Sequence, residues 1–213
     1  MKKLFPFLLL LISLISCQKK HQDVIEIYLT KERIPHKVGV PFEEIPKYVN
    51  IDLTDPVFGR YDHFFVSYDT ISKDFVFLGE FDIRRENLKE EPFITNDEIL
   101  GFDFEKSNVV VSGNSYYKFS DKRIGNLNQF VICINKKPVI NGYFLSGMSS
   151  AYIDWYAMYY LPYSEKYKDD VIDLYLYFDF RNRSIEIPDF QTTNPEFHQA
   201  FQTRNQENNL FQQ

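Results

Sequence analysis

Gln129-Phe130-Val131-Ile132-Cys133-Ile134, then Asn135-Lys136-Lys137, then Pro138-Val139-Ile140-Asn141-Gly142-Tyr143-Phe144-Leu145, is the stretch that decides the fold. Two apolar runs of strand length flank a short polar triplet, which is the pattern of a β-hairpin. Both runs are rich in β-branched and aromatic residues, which suit a pleated surface. Cys133 lies inside the first run, so it is predicted to be a small buried hydrophobe and not a nucleophile.

Strand signals extend to both sides of this hairpin. Val24 to Thr30 alternates well enough for a first strand, and His63–Tyr68 with Phe75–Phe81 forms a second predicted hairpin around Asp69–Asp74. Val109–Ser112 reads as a strand. Ile172, Leu174, Leu176, Phe178 and Phe180 alternate with Asp173, Tyr175, Tyr177 and Asp179, the clearest period of two in the chain. Ser184–Ile187 adds a last strand, ended by Pro188. Residues 35–60, punctuated by prolines and glycines, read as loop. Helices are predicted to be few. Thr95-Asn96-Asp97-Glu98 has capping-box form and predicts a short helix ended near Gly101. Ser115–Arg123 suits two helical turns, and Asn194-Pro195-Glu196 starts a short helix carrying Phe197 and Phe201. The fold class is therefore α+β, a mainly antiparallel sheet with two or three short helices in a single domain.

The N-terminus gives an address. Lys2-Lys3 is followed by an apolar run from Leu4 to Ile15, then small Ser16 and Cys17. A charged start, a short apolar stretch and a small residue before the cut make a secretory signal. The apolar run is too short to span a bilayer, which takes about 20 residues. Leu14-Ile15-Ser16-Cys17 resembles the lipobox of bacterial lipoproteins. That resemblance implies a diacylglycerol thioether on Cys17, cleavage before it and acylation of the new amino group. Two or more acyl chains anchor a protein stably where one binds only reversibly. The expected organisation is a signal peptide over residues 1–16, a lipidated tether over 17–23, a globular domain over 24–190 and an Asn/Gln-rich tail over 191–213. The expected location is the bacterial cell envelope, lipid-anchored, on the outer membrane with the domain on the periplasmic or surface side.

Composition narrows the partners. The net charge is −6, and an acidic surface excludes a nucleic-acid partner, because gripping phosphates takes clustered lysine and arginine. With Cys17 lipidated, Cys133 alone remains and no internal disulfide can form. No zinc-binding or calcium-loop spacing occurs, so no metal site is predicted. No glycine-rich phosphate loop occurs either, and no cofactor is expected.

Gly147-Met148-Ser149-Ser150-Ala151 falls one residue short of a nucleophile elbow, which needs a strained strand-to-helix turn between glycines. Histidine is scarce, with His21, His36, His63 and His198 the four present, so no catalytic residue is assigned. A serine hydrolase using Ser149 or Ser150 remains a remote alternative. The segment from Tyr152 to Leu161 is more suggestive. On a strand, Tyr152, Asp154, Tyr156, Met158 and Tyr160 share one face, while Ile153, Trp155, Ala157, Tyr159 and Leu161 share the other. The second face suits a core, so the tyrosine row is predicted to be exposed. Tyr152, Tyr156, Tyr160 and Trp155 are thus the candidate binding residues, since rings stack on sugars and anchor protein interfaces.

Between Pro92 and Ser146 the order Pro92-Phe93-Ile94-Thr95, Glu98-Ile99, Val111-x-Gly113, Lys118-Phe119, Asn128-x-Phe130-Val131-Ile132-x-Ile134-Asn135 and Pro138-Val139-Ile140 resembles the periplasmic accessory domain of the export component SecD. The resemblance implies a capped short helix, then a strand, a helix and a hairpin. It carries over no functional residue, and the transmembrane segments that flank the SecD domain have no counterpart here. The leading expectation is a non-enzymatic lipoprotein that contacts another envelope protein. The alternative is a glycan- or peptidoglycan-binding lipoprotein that uses the tyrosine row.

Overall fold

The computed structural model describes residues 22–35, 37, 39–41, 66–69, 74–120, 127–147, 149, 153–160, 171–178 and 194–211. Cys17, the signal segment, the strand predicted over 184–187, Ser150 and Tyr152 lie outside these residues.

The hairpin forms as predicted. Strand β7 (Gln129–Ile134) and strand β8 (Lys137–Ser146) pair antiparallel around Asn135-Lys136. Both turn residues have positive φ, 50° and 67°, the conformation a two-residue type I′ turn requires and asparagine tolerates well. Strand β7 is buried along its whole length. Phe130, Ile132 and Ile134 face the principal core, and Val131 and Cys133 face a smaller cluster with Tyr28 and Leu88. Burial on both faces explains why the sequence here is a continuous apolar run and not an alternation. The Cys133 thiol is fully buried, and burial pushes its pKa up to about 11.

The hairpin sits within a seven-stranded sheet. Its remaining members are β1 (Ile25–Leu29), β5 (Ile99–Asp103), β6 (Asn108–Ser112), β9 (Tyr156–Tyr160) and β10 (Val171–Phe178), in the order β1-β7-β8-β9-β10-β6-β5. A smaller sheet holds β2 (Val40–Pro41), β3 (Val66–Asp69) and β4 (Asp74–Phe77), and Asp69 opposite Asp74 completes the second predicted hairpin. The α+β class holds, but the large sheet is mixed. β8 and β9 run parallel, Tyr143 beside Ala157 and Ser146 beside Tyr160, whereas the other pairings are antiparallel. Alternation reports which face a residue occupies and is blind to strand direction. Here the 147–155 connection brings the chain back alongside β8 instead of turning it around, and Gly142 allows the approach. A Cβ at Gly142 would strike the Tyr156 carbonyl oxygen and come within 2.9 Å of the Phe130 ring.

The helices depart further from expectation. The Thr95–Glu98 box is present, with the Thr95 amide donating to Glu98 Oε2 at 2.8 Å. It closes only a single 3-10 turn (Asn96–Glu98), and Ile99 and Leu100, expected to continue a helix ended by Gly101, instead open strand β5 (Ile99–Asp103). Two β-branched and aromatic positions, Ile99 and Phe102, find better burial in the sheet than a second helical turn would give them. Helix α1 (Tyr116–Ser120) comes after β6, so the order from residue 92 to 146 is turn, β5, β6, α1 and hairpin.

Helix α2 (Pro195–Glu207) starts at the predicted Asn194-Pro195 and covers one face of the sheet. Phe197, Ala200 and Phe201 enter the principal core, where Phe102 meets the Phe197 ring at 5.0 Å and the Phe201 ring at 5.5 Å. The core therefore continues past residue 190 into the segment expected to be a tail. Phe197 and Phe201, predicted on a short helix there, are the rings that dock it.

Candidate functional site

Strand β9 shows where the candidate tyrosines lie. Tyr156 is 6% exposed, Tyr160 is 5% exposed, and both belong to the principal core with Met158. The opposite face is covered too, since Ala157 and Ile153 pack with Leu78, Phe81, Tyr143 and Leu145. The expected exposure of Tyr156 and Tyr160 is thus corrected. β9 is an inner strand of the sheet, and the face assigned to solvent packs with α1 and α2 residues. Tyr160 meets the Phe119 ring at 5.6 Å and the Phe144 ring at 6.4 Å. Burial raises the Tyr156 pKa above its ordinary value, with a hydrogen bond from Asn194 working the other way. Trp155 is half-buried, its Nε1–H donating to Asn141 Oδ1 at 2.7 Å. Asp154 holds the small sheet, accepting from the Phe77 amide at 2.6 Å while its own amide donates to the Phe77 carbonyl at 2.7 Å.

The Ser149 amide donates to the Ser146 carbonyl at 2.8 Å, and the next described element is strand β9. A nucleophile elbow leads into a helix, so this geometry is a different one. Among the described residues no group of three or more His, Cys, Asp and Glu side chains could hold a metal ion. Nor is any helix there long and apolar enough to cross a membrane.

A different surface carries exposed Phe211. A groove of about 490 Å³ runs between the β5–β6 hairpin and the end of α2, and Phe102, Phe104, Leu210 and Phe211 supply its apolar lining. Two local devices build its walls. On one side Asp103 Oδ1 accepts from the Glu105 and Lys106 amides at 3.0 and 3.1 Å, and Asp103 Oδ2 pairs with Lys106 Nζ at 3.3 Å. This holds Phe104 against Phe102 at 4.9 Å and against the His198 ring at 4.7 Å. On the other side α2 ends in a Schellman motif. Asn209 takes a φ of 52°, Leu210 N–H donates to the Asn205 carbonyl at 2.9 Å and Asn209 N–H to Gln206 at 3.3 Å. That reversal sends Leu210 back over Gly101 and leaves Phe211 51% exposed.

Asn205 fixes the groove floor. Its Oδ1 accepts from the Phe102 amide at 2.9 Å and its Nδ2 donates to the Phe102 carbonyl at 2.8 Å, imitating a neighbouring strand. A Cβ at Gly101 would run into Asn205 Oδ1 and lie 2.8 Å from Leu210 Cδ1, so the clamp requires glycine there. Sequence reading missed this groove because it placed residues 191–213 outside the domain. The Asn208-Asn209 pair after a helical stretch was the available signal, since asparagine is a common left-handed residue after a helix.

Comparison with protein-family models, curated proteins and solved structures finds no match for this chain.

Proposed function

We propose that this chain is a non-enzymatic envelope lipoprotein. Acylated Cys17 holds it on a bacterial membrane, and its domain serves as a binding or accessory module for another envelope protein. The observation that carries the anchoring is the Leu14-Ile15-Ser16-Cys17 string at the end of a short apolar run. The groove supports a protein as the partner. Exposed Phe211 beside Phe104 and Leu210, rimmed by Gln202, Gln206, Glu105 and Lys106, has the apolar centre and polar rim of a protein interface. The glycan alternative draws on Tyr152, Tyr156, Tyr160 and Trp155, and of these Tyr156 and Tyr160 lie in the core and offer no ring face to a sugar.

Two experiments test this reading. Cys17→Ala should move the protein from the membrane fraction to the soluble fraction, and persistent membrane association would count against lipid anchoring. A crosslinking pull-down of the full chain from intact cells should return one dominant envelope protein by mass spectrometry. Phe211→Ala should reduce that recovery several-fold, while recovery of polysaccharide alone would refute the protein partner.

A further inference from the structure

We infer that the end of the domain bearing the Asn135-Lys136 turn and the C-terminal part of α2 lies against the membrane surface, so that the far end of β8 at Gly147 points away from it. The inference rests on the lipid-anchoring reading and adds to it a lipid-facing surface.

Only the segment between Cys17 and Gln22 separates the acylated residue from the first described one. Fully extended, those five steps reach no more than about 18 Å, whatever their conformation. The chain has no slack beyond that point, because the next residues are pinned. Gln22 Nε2 donates to Glu207 Oε2 at 2.6 Å, and Arg204 Nη2 donates to the Asp23 carbonyl at 3.1 Å. Asn135 Nδ2 donates to Asp23 Oδ1 at 2.8 Å, while Val24 and Asn135 exchange two further bonds at 3.0 and 2.8 Å. The tether therefore leaves the domain between the hairpin turn and the end of α2.

From that turn β8 runs ten residues, Lys137 to Ser146, before reaching Gly147. At about 3.3 Å per residue this is roughly 30 Å of strand, well beyond what the tether can span. The surface beside the tether suits headgroups without depending on their charge. Val24 is exposed there, and Lys136 presents a charged tip on an aliphatic stem. The carboxylates sharing this end already have partners: Asp23 with Asn135, Glu196 with Lys137 at 2.6 Å, and Glu207 with Gln22. The short connection sets the orientation, and anionic lipid is not required.

The test uses the full-length, lipid-modified chain in phosphatidylcholine vesicles carrying nitroxide-labelled headgroups. A fluorophore is attached to Lys136→Cys or to Gly147→Cys, both exposed positions. Cys133 stays unlabelled because it is buried, and the Cys17 thiol is consumed by its thioether. Quenching should be several-fold stronger at position 136 than at 147. Equal quenching, or stronger quenching at 147, in protein that floats with the vesicles would overturn the orientation alone. A flexible insertion of about ten residues between Lys20 and His21 should erase the difference. A difference that survives the insertion would overturn the tether as its cause. Protein that does not float would overturn the anchoring reading, and the orientation with it.

Discussion

The two edges of the seven-stranded sheet are closed by different chemistry. At the β1 edge the closure is mostly main chain on main chain, with one side chain added where Asn96 Oδ1 accepts from the Ile25 amide at 2.9 Å. Ile27 exchanges bonds with Phe93 and Ile94 at 2.7 to 3.0 Å, Lys89 N–H donates to the Leu29 carbonyl at 2.9 Å, and Lys31 N–H donates to Asn87 at 2.8 Å. At the β5 edge the closure is side chain on main chain, through Asn205 on Phe102 and Asn208 on the Leu100 carbonyl. Arg204, only 5% exposed, ties the two edges together. Its guanidinium donates to the carbonyls of Asn96 and Ile99 on one side and Asp23 on the other. Burial lowers the Arg204 pKa, against the pull of Glu207, Asp97 and Asp23. Both arrangements hide an edge that would otherwise invite pairing with another chain. A main-chain closure survives nearly any substitution, whereas a side-chain closure hangs on a few atoms.

The largest effect should come from removing the support that α2 gives the β5 edge. Phe201 is fully buried among aromatic rings, so Phe201→Ala should cost about 3–5 kcal/mol in chemical denaturation. A cost near zero would mean that the helix is not part of the cooperative core.

Asn205→Ala sharpens the comparison, because it opens one edge and spares the other. Losing both bonds to Phe102 should cost about 1–3 kcal/mol. Hydrogen exchange should show the Phe102 amide losing protection while the Ile27 and Ile94 amides keep theirs. Equal loss at both edges would show that the two closures form one unit.

The smallest effect lies on the segment that joins the edges. Burial alone would raise the Glu98 pKa, but the Lys118 ammonium at 2.5 Å and the Thr95 amide outweigh it and hold the carboxyl below its ordinary value. A carboxyl with a lowered folded pKa contributes stability above its unfolded value, and that stability is lost as pH falls through the folded value. Glu98→Gln should therefore flatten the acid limb of the stability profile, by about 1 kcal/mol or less. An unchanged acid limb would place the acid sensitivity elsewhere.

Particular residues show what was legible. The β7–β8 hairpin, β1, β6 and β10 could be read because apolar runs and a period of two leave a direct trace in the sequence. Asn194-Pro195 announced α2. Ile99 and Leu100 are strand where the sequence predicts helix, because a capping box reports only the first turn. The conformation of the next residues is set by a partner strand that local sequence does not name. The groove went unread for a related reason. Phe104, Leu210 and Phe211 converge only when α2 returns over β5, a long way along the chain.

The sequence by itself determined that strands dominate, that residues 129–145 fold back as a hairpin, and that Cys133 is interior, because these depend on local hydrophobicity and turn chemistry. Only the tertiary structure decided that β9 lies parallel to β8 with its tyrosines inward, and that asparagines of the C-terminal helix close a sheet edge. Alternation divides residues between two faces, but which face meets solvent depends on what long-range packing lays over it.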